Sequence, residues 1–164
     1  MGVEEVWASL SRNGLSRVDL QYRVRAPKQA LVLQDGTGQR RKGLWQTTCF
    51  ELFLGDPLQP SYREFNFSPG GDWAAYSFNA YRAGMRDEDL PAPPQIEGNW
   101  EGDDFVLNVR LSLHRLEERS SFSLAAVIEE SNFGRSFWAA SHAAEPDFHA
   151  RHCFDSELPP LVQS

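Results

Sequence analysis

Apolar and polar residues alternate with a period of two along much of this chain. In "RVDLQYRVRA", Val18, Leu20, Tyr22 and Val24 share one face and Asp19, Gln21, Arg23 and Arg25 the other, which predicts a half-buried strand ended by Pro27. The run "ALVLQDG" closes on a glycine-containing turn, and "DDFVLNVRLSL" alternates again, with Phe105, Leu107, Val109, Leu111 and Leu113 on one side. "SFSLAAVIEES" is almost continuously apolar, as expected of a strand inside a sheet, and "GRSFWAASH" reads as one more strand. Short helices are expected at Val3 to Leu10 and at Leu113 to Glu118, both too short to organise a fold. "MRDEDLPAPPQIEGNWEGDD" is acidic, holds three prolines and has little periodicity, so a long surface loop is expected there. Short strands between Gly and Pro turns, with no internal repeat, predict an all-β fold: one antiparallel β-sandwich domain over residues 1–164.

Between Gly43 and Met85, aromatic, acidic and small residues crowd together. In "TCFELFLG", Cys49, Glu51 and Phe53 point one way and Phe50, Leu52 and Leu54 the other. The second set belongs in the core, which leaves Glu51 as a carboxylate in a strongly apolar strand, in need of water, a partner or a ligand. After the turn "GDPLQP", the strand "YREFNF" puts Tyr62, Glu64 and Asn66 on one face and Arg63, Phe65 and Phe67 on the other. Paired as a hairpin, the two strands would set Glu51 near Glu64 or Asn66 on a common face. "SPGGDW" is a second turn, and "WAAYSFNAYRAGM" continues the alternation.

Composition narrows the function classes. With 164 residues, 41% hydrophobic and 24% charged, the chain has the balance of one globular domain. A formal net charge of -7 argues against nucleic acid as partner, and the basic run Arg40, Arg41, Lys42 is short enough to be a solvated loop. The start "MGVEEVWASLSRNG" has neither the positive flank nor the apolar segment of a secretory leader, and no stretch has the length of a membrane span. A cytoplasmic protein without membrane attachment is expected, with Cys49 and Cys153 as free thiols.

The order Leu-Trp, then Glu51 six residues after Trp45, then an aromatic strand ending Asn-Phe-Ser-Pro-Gly-Gly, resembles the family 9 carbohydrate-binding modules and the wider DOMON-like β-sandwiches. "LWQTTCFELFL", "YREFNFSPGGDWAAYSFNAYRAGM" and "FWAASHAAEPDFHARHCF" are similar to a group of uncharacterised bacterial DOMON-like proteins, over most of residues 15–158. The resemblance implies a sugar held between two tryptophans at one end of a sandwich, with Glu, Arg and Asn side chains on its hydroxyls. Trp45 matches the first tryptophan, Glu51 the glutamate, Asn66 an asparagine and Trp138 the second tryptophan. Where the family has Arg two residues before that asparagine, this chain has Glu64, and its Arg63 should face the other way. A pyranose offers a flat C–H face to an aromatic ring and hydroxyls to planar side chains, so no catalysis is needed. The same residues also fit a structural role, with both tryptophans in the core and Glu51 tying loop backbone together.

His142, His149 and His152 cluster with Asp147 and Cys153 in "SHAAEPDFHARHCF", but their spacing matches no standard zinc signature. They are read as tying the closing strand to loops, with His142 and Asp147 as candidates to line a pocket. Haem ligation by Met85 with His142 or His149, which the DOMON resemblance raises, and catalysis by paired Glu51 and Glu64 are further alternatives. "DGTGQ" and "EGDD" complete no calcium loop. No resident cofactor is expected. The sequence thus predicts a non-catalytic module for a small polar ligand, a sugar first, at Trp45, Glu51, Glu64, Asn66, Trp138 and His142. The alternative is a structural or protein-interaction domain.

Overall fold

The computed structural model describes residues 2–139, 147–154 and 156–158. Two antiparallel sheets face each other. The smaller is built from β1 (Glu5–Arg12), β2 (Arg17–Arg25), β7 (Gln95–Glu101) and β8 (Asp104–Ser112), in the order β1-β2-β8-β7. The larger contains β3 (Cys49–Gly55), β4 (Tyr62–Phe67), β5 (Trp73–Phe78), β6 (Arg86–Asp87), β9 (Ser121–Glu130) and β10 (Gly134–Ala139). Its order is β10-β9-β3-β4-β5-β6, with β11 (Ser156–Glu157) also on β9. Among the described residues the only helical pieces are three 3-10 turns, Lys28–Ala30, Leu44–Gln46 and Arg151–Cys153. No helix among them is long and apolar enough to cross a membrane.

The alternation of β2 sets the inner face of the small sheet. Val18, Leu20, Tyr22 and Val24 pair with Leu111, Val109, Leu107 and Phe105 of β8, and all eight are buried. They pack on Phe50, Leu52 and Leu54 of β3, Phe65 and Phe67 of β4, and Ala126 and Ile128 of β9. Burial of each large apolar side chain contributes about 1.5–3 kcal/mol, so this layer carries the fold. The Tyr22 hydroxyl crosses it and donates to the Glu51 carbonyl at 2.7 Å, which satisfies the phenol and ties the small sheet to β3.

β3, β4 and β5 are buried along their whole length, so the outer face of the large sheet is covered as well. A second apolar cluster occupies it: Leu44, Cys49, Phe53, Tyr62, Ala74, Tyr76, Phe78, Ala125 and Val127 from the sheet side, with Phe148 and Phe154 from the C-terminal segment.

Several sequence expectations are corrected. Val3 to Leu10 is not helical: its residues from Glu5 onward belong to β1, whose Val6, Ala8 and Leu10 face inward against Val24, Tyr22 and Leu20. Leu113 to Glu118 is loop, in which Leu113 and Leu116 are buried. The expected acidic loop contains β6 and the exposed strand β7, hairpinned to β8. Gly98 of β7 is required there: a Cβ would lie 2.7 Å from Cζ of Phe105. The "SPGGDW" turn docks on residues 34–39, where a Cβ at Gly70 would sit 2.2 Å from the Gly36 nitrogen. Asp72 accepts the Thr37 and Gln39 amides, each at 3.0 Å, and fixes that contact.

Candidate ligand-binding site

Register brings the polar residues of β3 and β4 together. Glu51 lies opposite Asn66 and Phe53 opposite Glu64, so Glu51 and Glu64 are diagonal neighbours on the outer face of the large sheet. Ala125 and Ser123 of β9 and Tyr76 and Ala74 of β5 continue the same face through their pairing with Glu51, Phe53, Glu64 and Asn66. Glu51, Glu64 and Asn66 are 3%, 6% and 1% exposed. Carboxyl groups so far from water are rare and must be neutralised, paired or liganded.

Residues 147–154 roof this face. The His149 ring lies edge-on to Phe53, Tyr62 and Phe78, with centroids 5.1, 5.7 and 5.1 Å away. Tyr62 stacks on Phe78 at 4.7 Å, and Phe148 and Phe154 close over Phe53. The roof is pinned at both ends. Asp147 accepts the Tyr81 hydroxyl and a guanidinium N–H of Arg82, the latter at 3.0 Å. Arg151 donates to the carbonyls of Asp56, Gln59 and Ser61 in the β3–β4 turn at 3.0–3.2 Å.

A short polar chain runs beneath the roof. The Arg82 backbone N–H donates to the Tyr62 hydroxyl at 3.1 Å, and that hydroxyl lies 2.7 Å from His149 Nδ1. Nε2 of the same ring faces the Glu64 carboxyl at 3.6 Å. With the phenol donating to Nδ1, the proton of a neutral ring sits on Nε2, toward Glu64. The Asn66 amide, oriented to suit its neighbours, donates to Glu64 Oε1 at 3.3 Å and to the Phe65 carbonyl at 3.2 Å.

Burial governs the protonation states. It pushes Glu51 well above the usual carboxylate range, and the charge of Glu64 pushes it further, while the Cys49 thiol acts against this. Burial raises Glu64 to about 7, with Asn66 and then Arg82 opposing. His149 falls to about 4, through burial first and the Arg82 charge second. Burial therefore favours the uncharged form of Glu51, while at neutral pH Glu64 is near its midpoint and His149 is uncharged. This face therefore holds buried groups able to donate or accept a proton.

No family model matches the sequence, and no curated protein does. A solved structure does match: that of a "putative carbohydrate-binding protein" from Bacteroides uniformis, at a TM-score of 0.65 and 12% identity, over 89% of this chain and 74% of that one. It shares the fold.

The expected site residues do not all meet. Glu51, Glu64 and Asn66 are adjacent, and they lie on a sheet face rather than at an end of the sandwich. Trp45 is half exposed in the turn Leu44–Gln46, beside buried Leu44, and its carbonyl accepts from Arg135 at 3.3 Å. Trp138 is turned away. It pairs with Ala126, packs against the inter-sheet core and donates its indole N–H to Ser136 Oγ at 2.8 Å. Phe137 holds the corresponding place on the outer face, opposite Val127 and in ring contact with Phe148, with the Arg135 guanidinium 5.8 Å over it. His142 lies outside the described residues.

Arg63 faces away from Glu64 and donates to the Arg115 carbonyl. Among the described residues no three His, Cys, Asp or Glu side chains converge as for a metal, and Met85 is exposed. Sequence reasoning put Tyr62 on the face of Glu64 and Asn66 without counting it a site residue, read His149 as part of the closing tail, and missed Phe137 and Phe148. Tyr62 shares the face of Glu64 in the alternation of "YREFNF", which is the signal that could have marked it as one.

Proposed function

We infer that this chain is one DOMON-like domain, a non-catalytic cytoplasmic module that binds a small polar ligand, a carbohydrate first. The observation that carries the reading is the buried trio of Glu51, Glu64 and Asn66, a diagonal pair of acids and an amide on one face, ringed by aromatic side chains. A neutral carboxyl donates one hydrogen bond and accepts others, as a sugar hydroxyl does, and an aromatic ring packs against the C–H face of a pyranose. Trp45 and Phe137 are exposed aromatics beside this face, and Arg135 touches both. The carbohydrate-binding description of the Bacteroides protein with the same fold supports the choice of ligand class.

One observation favours a second reading. The roof of residues 147–154 leaves the carboxyls almost no exposure, as expected of a structural polar centre. Isothermal titration of the full chain with mono- and disaccharides separates the two. Saturable binding that weakens at least tenfold in Glu51→Leu and survives in Glu51→Gln, which imitates the neutral acid, supports a module using Glu51 uncharged. Survival in neither variant supports a module that needs its charge. No binding of any saccharide by a folded wild-type chain favours the structural centre.

A further inference from the structure

Two carboxyl groups are buried side by side on the outer face of the large sheet, and no buried cation answers them among the described residues. Arg82 is half exposed and engaged by Asp147, Arg151 is spent on three backbone carbonyls, and Arg135 lies on the exposed rim. His149 meets Glu64 as a neutral ring. Aromatic rings line much of the rest of the face, namely Phe53, Tyr62, Tyr76, Phe78, Phe148 and Phe154, with small aliphatic residues such as Ala74, Ala125 and Val127 between them. A second, independent polar group lies on the same face. Ser123 of β9, 3% exposed, is paired with Phe53 and so is a diagonal neighbour of Glu51, and its Oγ has no hydrogen-bond partner among the described residues. Buried hydroxyls are rarely left so.

Paired acids within aromatic walls suit one ligand chemistry. An ammonium group is attracted by carboxylates and by the faces of aromatic rings, and it offers three N–H donors where these residues supply acceptors. We propose that the ligand of this face is an amino sugar, whose protonated amine sits between Glu51 and Glu64 while its hydroxyls are held by Asn66 and Ser123. This rests on the carbohydrate reading above and narrows it. The proton balance is simple. Burial favours a proton on each acid in the free protein; whatever protons Glu51 and Glu64 hold when the ammonium arrives are released to solvent, and the ion pairs take their place.

The groups that set the pH response are Cys49 and Glu51 on β3, Tyr62 and Glu64 on β4, Tyr76 on β5 with Arg40 and Asp87 beside it, and Arg82, Asp147 and His149 from the turn and roof. β9 presents Ser123, Ala125 and Val127 to this face, none of which titrates in the working range. Proton release makes ammonium binding strengthen as pH rises while the acids are still protonated, by up to about tenfold per unit. A neutral sugar gains nothing from that rise.

The test is isothermal titration calorimetry of the full chain with D-glucosamine, D-glucose and N-acetyl-D-glucosamine, from about pH 6 to about pH 7.5, in two buffers of different ionisation heat. The expected result is glucosamine bound at least about tenfold more tightly than either neutral sugar, with heats that differ between buffers in proportion to the protons that Glu51 and Glu64 release. Glu51→Gln and Glu64→Gln should each abolish that preference. The buffer comparison on the wild-type chain stands even if either variant folds poorly. Equal affinity for all three sugars, or no buffer dependence, overturns the amine and leaves the carbohydrate reading in place. Binding of D-glucose alone does the same. Binding of none of the three overturns the amine, and the wider saccharide panel then decides the carbohydrate reading separately.

Discussion

Glu64 and His149 face each other at 3.6 Å under the roof, and burial moves their titrations in opposite directions. Glu64 rises from an ordinary 4.5 to about 7 in the folded protein. Its contribution to stability is full below the unfolded value and is lost as pH rises through the folded one. Over that span of about 2.5 units the loss is about 3 kcal/mol, at about 1.36 kcal/mol per unit. His149 falls from 6.5 to about 4, so its contribution is full above 6.5 and is lost as pH falls toward 4, again by about 3 kcal/mol. Between about pH 4.5 and pH 6.5 the two slopes have opposite signs and cancel in the wild-type chain. Glu51 adds a falling slope of its own, because its titration is also raised.

Substitution removes one slope and exposes the other. In Glu64→Gln, unfolding free energy relative to wild type should climb with pH by about 1 kcal/mol per unit between about pH 4.5 and pH 7, since the falling term is gone. In His149→Gln the difference should run downward by a similar amount between about pH 4 and pH 6.5. Each variant also carries a constant offset from lost packing and hydrogen bonding, so the signature is the slope and not the level. Urea unfolding followed by tryptophan fluorescence across that range measures it, with a constant denaturant slope as the check on comparability. Variant profiles that stay parallel to wild type would refute the opposed titration of this pair.

Trp45→Ala should leave stability within about 0.5 kcal/mol, because the ring is half exposed, while removing saccharide binding; Trp138→Ala should cost about 2 kcal/mol or more from its packing against the inter-sheet core. Urea titration and calorimetry on the same samples separate the two effects. Tyr62→Phe removes the hydroxyl that accepts from the Arg82 amide and meets His149, and should cost about 1–2 kcal/mol in the same unfolding assay. Gly98→Val should destabilise by about 1–3 kcal/mol, since its Cβ would press on the buried Phe105 ring; an unchanged midpoint would show that β7 yields there.

The readable part of this fold is the part with a single polar exception in an apolar pattern. β3 alternates two sets of buried residues, and Glu51 is the one charged member of either, so the sequence alone assigns it to the face that is not the inter-sheet core. The alternation of "YREFNF" then brings Glu64 and Asn66 to the same face, and the observed register does pair Asn66 with Glu51. β1 was ambiguous for a physical reason. Val3, Val6 and Leu10 have helical spacing, while Val6, Ala8 and Leu10 have strand spacing, and eight rungs of pairing with β2 decide between them. β7 gave no strand signal because the inward position between Ile96 and Trp100 is Gly98, whose missing side chain makes room for Phe105.

The tryptophan partner failed for a related reason. β9 is apolar on both faces, with Ala125 and Val127 outward and Ala126 and Ile128 inward, so nothing in its own pattern tells β10 which way to turn. A shift of one residue in that pairing would exchange Phe137 and Trp138 between the faces. A strand covered on both sides thus conceals the parity of its neighbour. What reveals it is the company kept in three dimensions: Phe137 against Phe148 of the roof, and Trp138 against the core between the sheets. The same covering shapes the chemistry, because the roof that hides the register is what keeps Glu51 and Glu64 from water and lifts their titrations.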